Sequence, residues 1–338
     1  MVALLHEARV MRVVYAVLIA ASSGATACGS RTGLTVQPGD GGLSVADAQL
    51  TPPSVESGSP CTSDADCTVD AFCVTSATCD PATGCVLVAR SCDDGVACTT
   101  DSCSEASRRC TNVPDDSVCP DTELCSATRG CDAFVYAVAA DGHLYEARVP
   151  SGDLVDLGQP AASVGDLALG PGGVLYATDT YVLSSVDRAT AQTTTIASIL
   201  PLHPYSGLGT GSGELLATTD VPQVFAVGML DGSSTPVASL PPGYGEGGDV
   251  TALGARVFVS LPATGNMSTD TLVAVNVATG GSTVIGEFGY RCVWGLATLG
   301  GVVYGLTCEG RLVTIDVTTG KGTAVARVAQ QFIGAAGR

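Results

Sequence analysis

Five short segments recur in the second half of the chain and constrain its fold more than any other feature. They are LYEARVPSG from Leu144, LSSVDRATA from Leu183, VFAVGMLDG from Val224, LVAVNVATG from Leu272 and LVTIDVTTG from Leu312. Successive copies start 39, 41, 48 and 40 residues apart. Four of the five carry Gly at the ninth position (Gly152, Gly232, Gly280, Gly320), where a tight turn needs positive φ; Ala191 is the exception. Each segment follows an apolar run: FVYAVA, VLYATD, ELLATT, RVFVSL or VVYGLT. Upstream of four of these runs lies a strand of small residues: DLALG, GLGTG, DVTALG and WGLATLG. A further run follows the turn, as in TTTIAS or STVIGEF. Four strands every ~40 residues is the pattern of a β-propeller blade, with the small strand innermost.

The first unit lacks its small strand, and the chain ends with FIGAAGR, which has that composition. Pairing of Phe332–Gly337 inside the first blade would close a ring of five blades and leave no free inner edge. This half resembles bacterial propellers with LYxIDxxTG-type blades, over roughly 200 residues; such a resemblance implies fold and not activity. Cys292 and Cys308 are equidistant from Gly300 within GLATLGGVVYGL. A hairpin turning at Leu299–Gly301 would bring them opposite each other, where a disulfide is feasible.

Fifteen cysteines are too many for a reducing compartment. Arg9 and Arg12 precede the apolar run Val13–Ala21, which has the size of a signal-peptide core and is too short to span a bilayer. Met11 is an alternative start to Met1. Ala25-Thr26-Ala27 fits ordinary signal cleavage. The same residues followed by Cys28 resemble a bacterial lipobox, in which the cysteine is diacylated, although Ala25 stands where Leu is commonest. Parity arbitrates: twelve cysteines lie between Cys61 and Cys131, two more are Cys292 and Cys308, and Cys28 is left over. A thioether to lipid accounts for it; a free or intermolecular thiol is the alternative. With Gly29 next, the resemblance implies an outer-membrane or cell-surface lipoprotein of a diderm bacterium. Residues 30–60 are rich in Gly, Ser, Pro and Asp without apolar periodicity and read as a disordered tether. The expected organisation is a signal peptide over 1–27, a lipidated N-terminus and linker over 28–60, a cysteine module over 61–131 and a propeller over 132–338. The fold class is mainly β.

Within the cysteine module the spacing repeats as Cys67-Cys73-Cys79-Cys85, Cys92-Cys98-Cys103-Cys110 and a shorter Cys119-Cys125-Cys131, with Cys61 in front. CDDGVACTTDSC resembles the short cysteine repeats of slime-mould and some bacterial surface proteins, and CTSDADCTVDAFC resembles Dickkopf-type N-terminal modules. The resemblance implies a disulfide-stapled, loop-rich extracellular module. With few large apolar residues, cross-links must hold it together. The pairing stays open at this level. The cysteine spacings are too wide for zinc knuckles. Asp64, Asp66 and Asp70, or Asp93 and Asp94, could offer oxygens to calcium, but no EF-hand loop occurs and solvated acidic turns account for them. No cofactor or metal is expected.

A formal net charge of −18 disfavours nucleic-acid partners. No G-x-S-x-G or H-E-x-x-H motif occurs. Asp166, Asp249 and the neighbouring Glu246 are the carboxylates from which a glycan-active hydrolase or lyase would be built, though Asp at a strand start is also a common turn former. A binding site is expected where the chain enters the inner strands. Tyr205, Tyr244 and Tyr290 lie at equivalent places there, with Arg291 and Trp294 close by and His203 and Glu246 as polar contacts. An aromatic cup of this kind suits a polysaccharide or an envelope protein. The competing reading is that the rings plug the channel or pack between blades. Three functions follow in order: a surface-held binding propeller with its membrane contact through the N-terminal lipid, a glycan-active enzyme, and a spacer without ligand.

Overall fold

A computed structural model describes residues 57–179, 181–198, 205–244, 247–262 and 269–338, and these fall within one compact unit. Cys28, His203 and Glu246 lie outside the described residues, as does most of the extra length of the fourth repeat. Five four-stranded antiparallel sheets form a five-bladed propeller. From inner to outer strand, blade one is Phe332–Ala336, Phe134–Ala139, Leu144–Arg148 and Leu154–Gly158. Blade two is Asp166–Leu169, Leu175–Thr178, Val182–Val186 and Thr193–Ser198. Blade three is Tyr205–Gly211, Glu214–Thr219, Gln223–Val227 and Ser234–Ser239. Blade four is Val250–Leu253, Arg256–Leu261, Thr271–Asn276 and Gly281–Glu287. Blade five is Val293–Leu299, Val302–Thr307, Arg311–Ile315 and Gly322–Arg327.

The small-residue strands are innermost because inner strands approach one another too closely for side chains. A Cβ added to Gly209 would lie 1.8 Å from the Val250 carbonyl oxygen of the next blade. The last strand pairs with Phe134–Ala139 through Phe332↔Ala139, Gly334↔Val138, Ala335↔Ala137 and Ala336↔Tyr136, as the composition of FIGAAGR implies. It also packs beside the inner strands of blades two and five, which closes the ring. The second and third strands carry the apolar core; Phe134 to Ala139 are all fully buried. Burying such runs supplies about 25 cal/mol per Å² of apolar surface, the main favourable contribution to the fold.

The turn after each repeated segment is the same in all five blades. The N–H of the ninth residue donates to the carbonyl of the fifth: Gly152 to Arg148, Ala191 to Asp187, Gly232 to Gly228, Gly280 to Asn276 and Gly320 to Asp316, at 2.7–2.9 Å. In blades two, four and five the fifth residue is Asp187, Asn276 or Asp316, whose side chain accepts from the next main-chain N–H groups. Ala191 adopts φ 58° like its glycine counterparts. Cys292 and Cys308 are bonded across the ends of the blade-five hairpin, with Cα atoms 5.4 Å apart.

The cysteine module consists of three hairpins, Val74–Asp80 with Gly84–Ala89, Thr99–Ser104 with Arg109–Pro114, and Leu124–Ser126 with Gly130–Asp132. Cys79 stands opposite Cys85, Cys103 opposite Cys110 and Cys125 opposite Cys131. These opposed pairs are not the bonded ones. The first cysteine of each copy bonds the last: Cys67–Cys85, Cys92–Cys110 and Cys119–Cys131. The second cysteine of one copy bonds the third of the next: Cys73–Cys103 and Cys98–Cys125. Cys61 stands in for the second cysteine of a preceding copy and bonds Cys79. The short third copy therefore lacks its second cysteine, the one that would link forward.

Candidate functional site

The channel axis is the most unusual chemical environment in the molecule. Inner-strand N–H groups face the axis with no strand to pair with. At one level these are the N–H groups of Ala335, Leu167, Leu208, Val250 and Leu296, one from each blade. Two carboxylates satisfy all five. Asp166 accepts from Leu167 (2.8 Å), Leu208 (2.8 Å) and Ala335. Asp249 accepts from Val250 (2.6 Å) and Leu296. The two carboxyls also hydrogen-bond each other. Blades one, three and five carry Gly334, Gly207 and Gly295 at the positions where blades two and four carry these acids. A Cβ on Gly334 would lie 2.1 Å from an Asp166 oxygen, so glycine there makes room for the pair.

Asp166 and Asp249 are 1% and 0% exposed. Burial pushes both carboxyls well above the ordinary range, and the charge of Asp166 raises Asp249 further. Two buried carboxyls in hydrogen-bond contact favour sharing a proton over both carrying charge. The two candidate catalytic acids are thus brought together, with their oxygens engaged by main-chain N–H groups and buried from solvent.

A cup of about 440 Å³ opens on the face where the inner strands end. Its wall comes from the ends of all five inner strands and includes Thr210, Thr251, Thr298 and Ser212. Thr251 and Thr298 are buried, with hydroxyls 3.0 Å apart. The cysteine module supplies part of the rim. Arg338 donates to Asp121 Oδ1 at 2.6 Å and to the Asp116 carbonyl, and Gly300 N–H donates to the Asp121 carbonyl at 3.2 Å.

Sequence reasoning missed the anchor that fixes this rim. Arg188, in the repeat turn of blade two, is 5% exposed and uses all five guanidinium N–H groups. It grips the Asp116 carboxylate at both oxygens (2.6 and 2.9 Å), the Tyr136 hydroxyl (2.7 Å), the Cys125 carbonyl (2.9 Å) and the Gly173 carbonyl (3.1 Å). The bidentate geometry suits a buried pair. Glu146, fully buried in blade one, meets Arg129 of the third hairpin at 2.6 Å and Ser126 Oγ at 3.1 Å. Burial raises the Glu146 carboxyl, and Arg129 opposes this. The one local signal is an arginine next to the turn aspartate Asp187 in VDRATA.

The expected aromatic cup is not assembled from the three tyrosines. Tyr205 is 5% exposed and packs with Leu183 and Leu208. Tyr244 packs on an apolar cluster shared by blades three and four. Tyr290 packs on one shared by blades four and five, its hydroxyl accepting from Ala324 N–H at 3.1 Å. The rings sit where inner strands begin and pack between neighbouring blades: two and three for Tyr205, three and four for Tyr244, four and five for Tyr290. Arg291 is exposed, and Trp294 is 42% exposed at a bulge in its strand. Among the acids weighed for calcium, Asp66 accepts from Thr62 and Ser63 and Asp64 from Cys79 N–H. Asp93, Asp94 and Asp101 cluster within 4.8 Å. Asp93 and Asp94 accept local N–H groups, and Asp101 accepts from Asn112.

No protein-family model and no curated protein matches the chain. Among solved structures, it is similar to a protein of unknown function from Bacteroides thetaiotaomicron, with 12% identity, a TM-score of 0.41 and coverage of 59% of this chain and 60% of that one. It is similar to U3-55K, with 15% identity, TM-score 0.37 and coverage of 55% and 58%. It is similar to the RRP9 WD40 repeats, with 14% identity, TM-score 0.36 and coverage of 56% and 59%. The aligned part spans less than two thirds of each of these chains.

Proposed function

We propose that the protein is an exported binding module that takes an envelope glycan in the cup where its inner strands end. The supporting observation is the cup itself: threonine hydroxyls and main-chain groups from five blades converge on one opening. Beyond it, the axis is closed by the Asp166–Asp249 pair, so the site is a dead end suited to holding a group and not to passing one. A wall of neutral hydroxyls, with its one cation already paired to Asp121, fits a polyhydroxylated, uncharged ligand. Disulfides throughout the cysteine module support an oxidising, exported setting. No helix among the described residues is long and apolar enough to cross a membrane. Lipid on Cys28, the cysteine left over when the other fourteen pair, would be the membrane contact.

The test is retention of the oxidised full chain on glycan arrays, peptidoglycan and envelope extracts. Thr251→Val together with Thr298→Val removes both hydroxyls of a mutually bonded pair, a change that is close to neutral for stability. Glycan retention should fall at least tenfold with little change in Tm. Retention of an envelope protein alone, or equal retention by the double variant, would refute the glycan reading. The anchor is tested separately by the mass of the mature N-terminus and by release of Cys28→Ser from membranes.

A further inference from the structure

A groove lies on the seam between the second cysteine hairpin and blade two. Strand Arg109–Pro114 pairs with Thr99–Ser104 on one side and with nothing on the other among the described residues. Its free edge lines a groove of about 510 Å³ whose opposite wall is made by two turns of blade two, Gly172–Leu175 and Val186–Thr190. The lining is mostly apolar, and Val113 and Val174 are 58% and 39% exposed within it. Asp94 and Asp187 are exposed at the rim. Arg188 is already paired to Asp116, which leaves Arg109 as the exposed cation.

An unpaired strand edge presents main-chain donors and acceptors in a row. A second polypeptide satisfies them by adding a strand, with side-chain pockets selecting alternate residues. The six residues of the edge run about 20 Å, enough for an extended hexapeptide. No aromatic side chain lines the groove, so it lacks the flat platform on which a sugar ring would stack. A net charge of −18 and the acidic rim favour a basic partner and disfavour a second copy of this chain.

We infer that this groove binds an extended basic peptide segment of a partner protein by strand addition to Arg109–Pro114, with β-branched side chains on the Val113 and Val174 surface and lysine or arginine at the Asp94 and Asp187 rim. This inference stands apart from the glycan cup, which uses other residues.

The probe is a fluorescent heptapeptide alternating lysine and valine, titrated by anisotropy into the oxidised full chain. Micromolar binding that weakens at least fivefold between 50 and 300 mM salt is expected. Val113→Lys with Val174→Lys, both at exposed positions, should weaken it at least tenfold at unchanged Tm. Thr251→Val with Thr298→Val should leave it unaltered. The inference is overturned if the peptide does not bind, if a glutamate–valine heptapeptide binds as well, or if the lysine variants bind like the parent.

Discussion

At the residue scale the molecule turns on two carboxyls placed where five main-chain donors converge. The native pair holds a proton that the unfolded chain, with ordinary aspartates near pH 4, releases. The folded state therefore binds more protons than the unfolded one above that pH. The pair's contribution to stability is greatest at low pH and falls as pH rises from about 4 through the raised value of Asp249. Asp249→Asn keeps an acceptor for one of the two N–H groups and cannot ionise. It should lower stability by about 1–3 kcal/mol near pH 4 and flatten the decline toward pH 8. Chemical denaturation across that range is the measurement, and an undiminished slope in the variant would show that the proton resides elsewhere. Asp166→Ala, which strands the N–H groups of Leu167, Leu208 and Ala335, should cost more than the Asn change and remove two-state melting.

At the scale of elements, the repeat turn offers a cleaner test. Ala191 occupies a left-handed position that its four counterparts give to glycine. Left-handed backbone costs a non-glycine residue about 1 kcal/mol or more. Ala191→Gly should raise stability by roughly that amount, less the added freedom of glycine in the unfolded chain. Gly320→Ala should cost more, because its Cβ would also lie 2.5 Å from the Gly286 carbonyl oxygen. Denaturant midpoints at constant slope check both. These turns were legible from sequence because everything that makes them is local: the Asp or Asn, the glycine and the alternating strand lie within nine residues. The small inner strands were legible for the same reason, and FIGAAGR found its place because one blade lacked that composition. The cysteine pairing was not legible, since the opposed cysteines of each hairpin bond elsewhere. The third copy reveals its missing cysteine only once Cys125 is seen opposite Cys131. The site fared less well. Asp166 and Asp249 were singled out, yet their burial depends on glycines in three other blades. Asp116 and Arg188 are 72 positions apart with no local pattern to join them.

At the scale of the whole molecule, the cysteine module and propeller read as two domains in sequence but share a buried, charged seam. The module lacks a sizeable apolar core of its own, while the propeller has one closed by its last strand. Their union rests on Arg188 with Asp116, Glu146 with Arg129, and Arg338 with Asp121. The first pair is nearly fully buried, so removing one partner leaves an uncompensated charge and costs about 3–5 kcal/mol. The Arg338 pair is largely exposed on the Asp121 side and contributes about 1 kcal/mol or less. Arg188→Ala should therefore uncouple the parts while Arg338→Ala should not. Calorimetry of the parent is expected to show one transition. The Arg188→Ala variant should show the propeller melting at lower temperature, with amide hydrogen exchange accelerated in Asp115–Ser126 and in the wall of the cup while the centres of the blades stay protected. Asp116→Asn, which keeps the shape and two acceptor positions for Arg188 only in part, should fall between the two. If exchange at Asp115–Ser126 is unchanged in Arg188→Ala, the seam is held by apolar packing of Leu124 and Phe134, and the rim of the cup does not depend on the arginine.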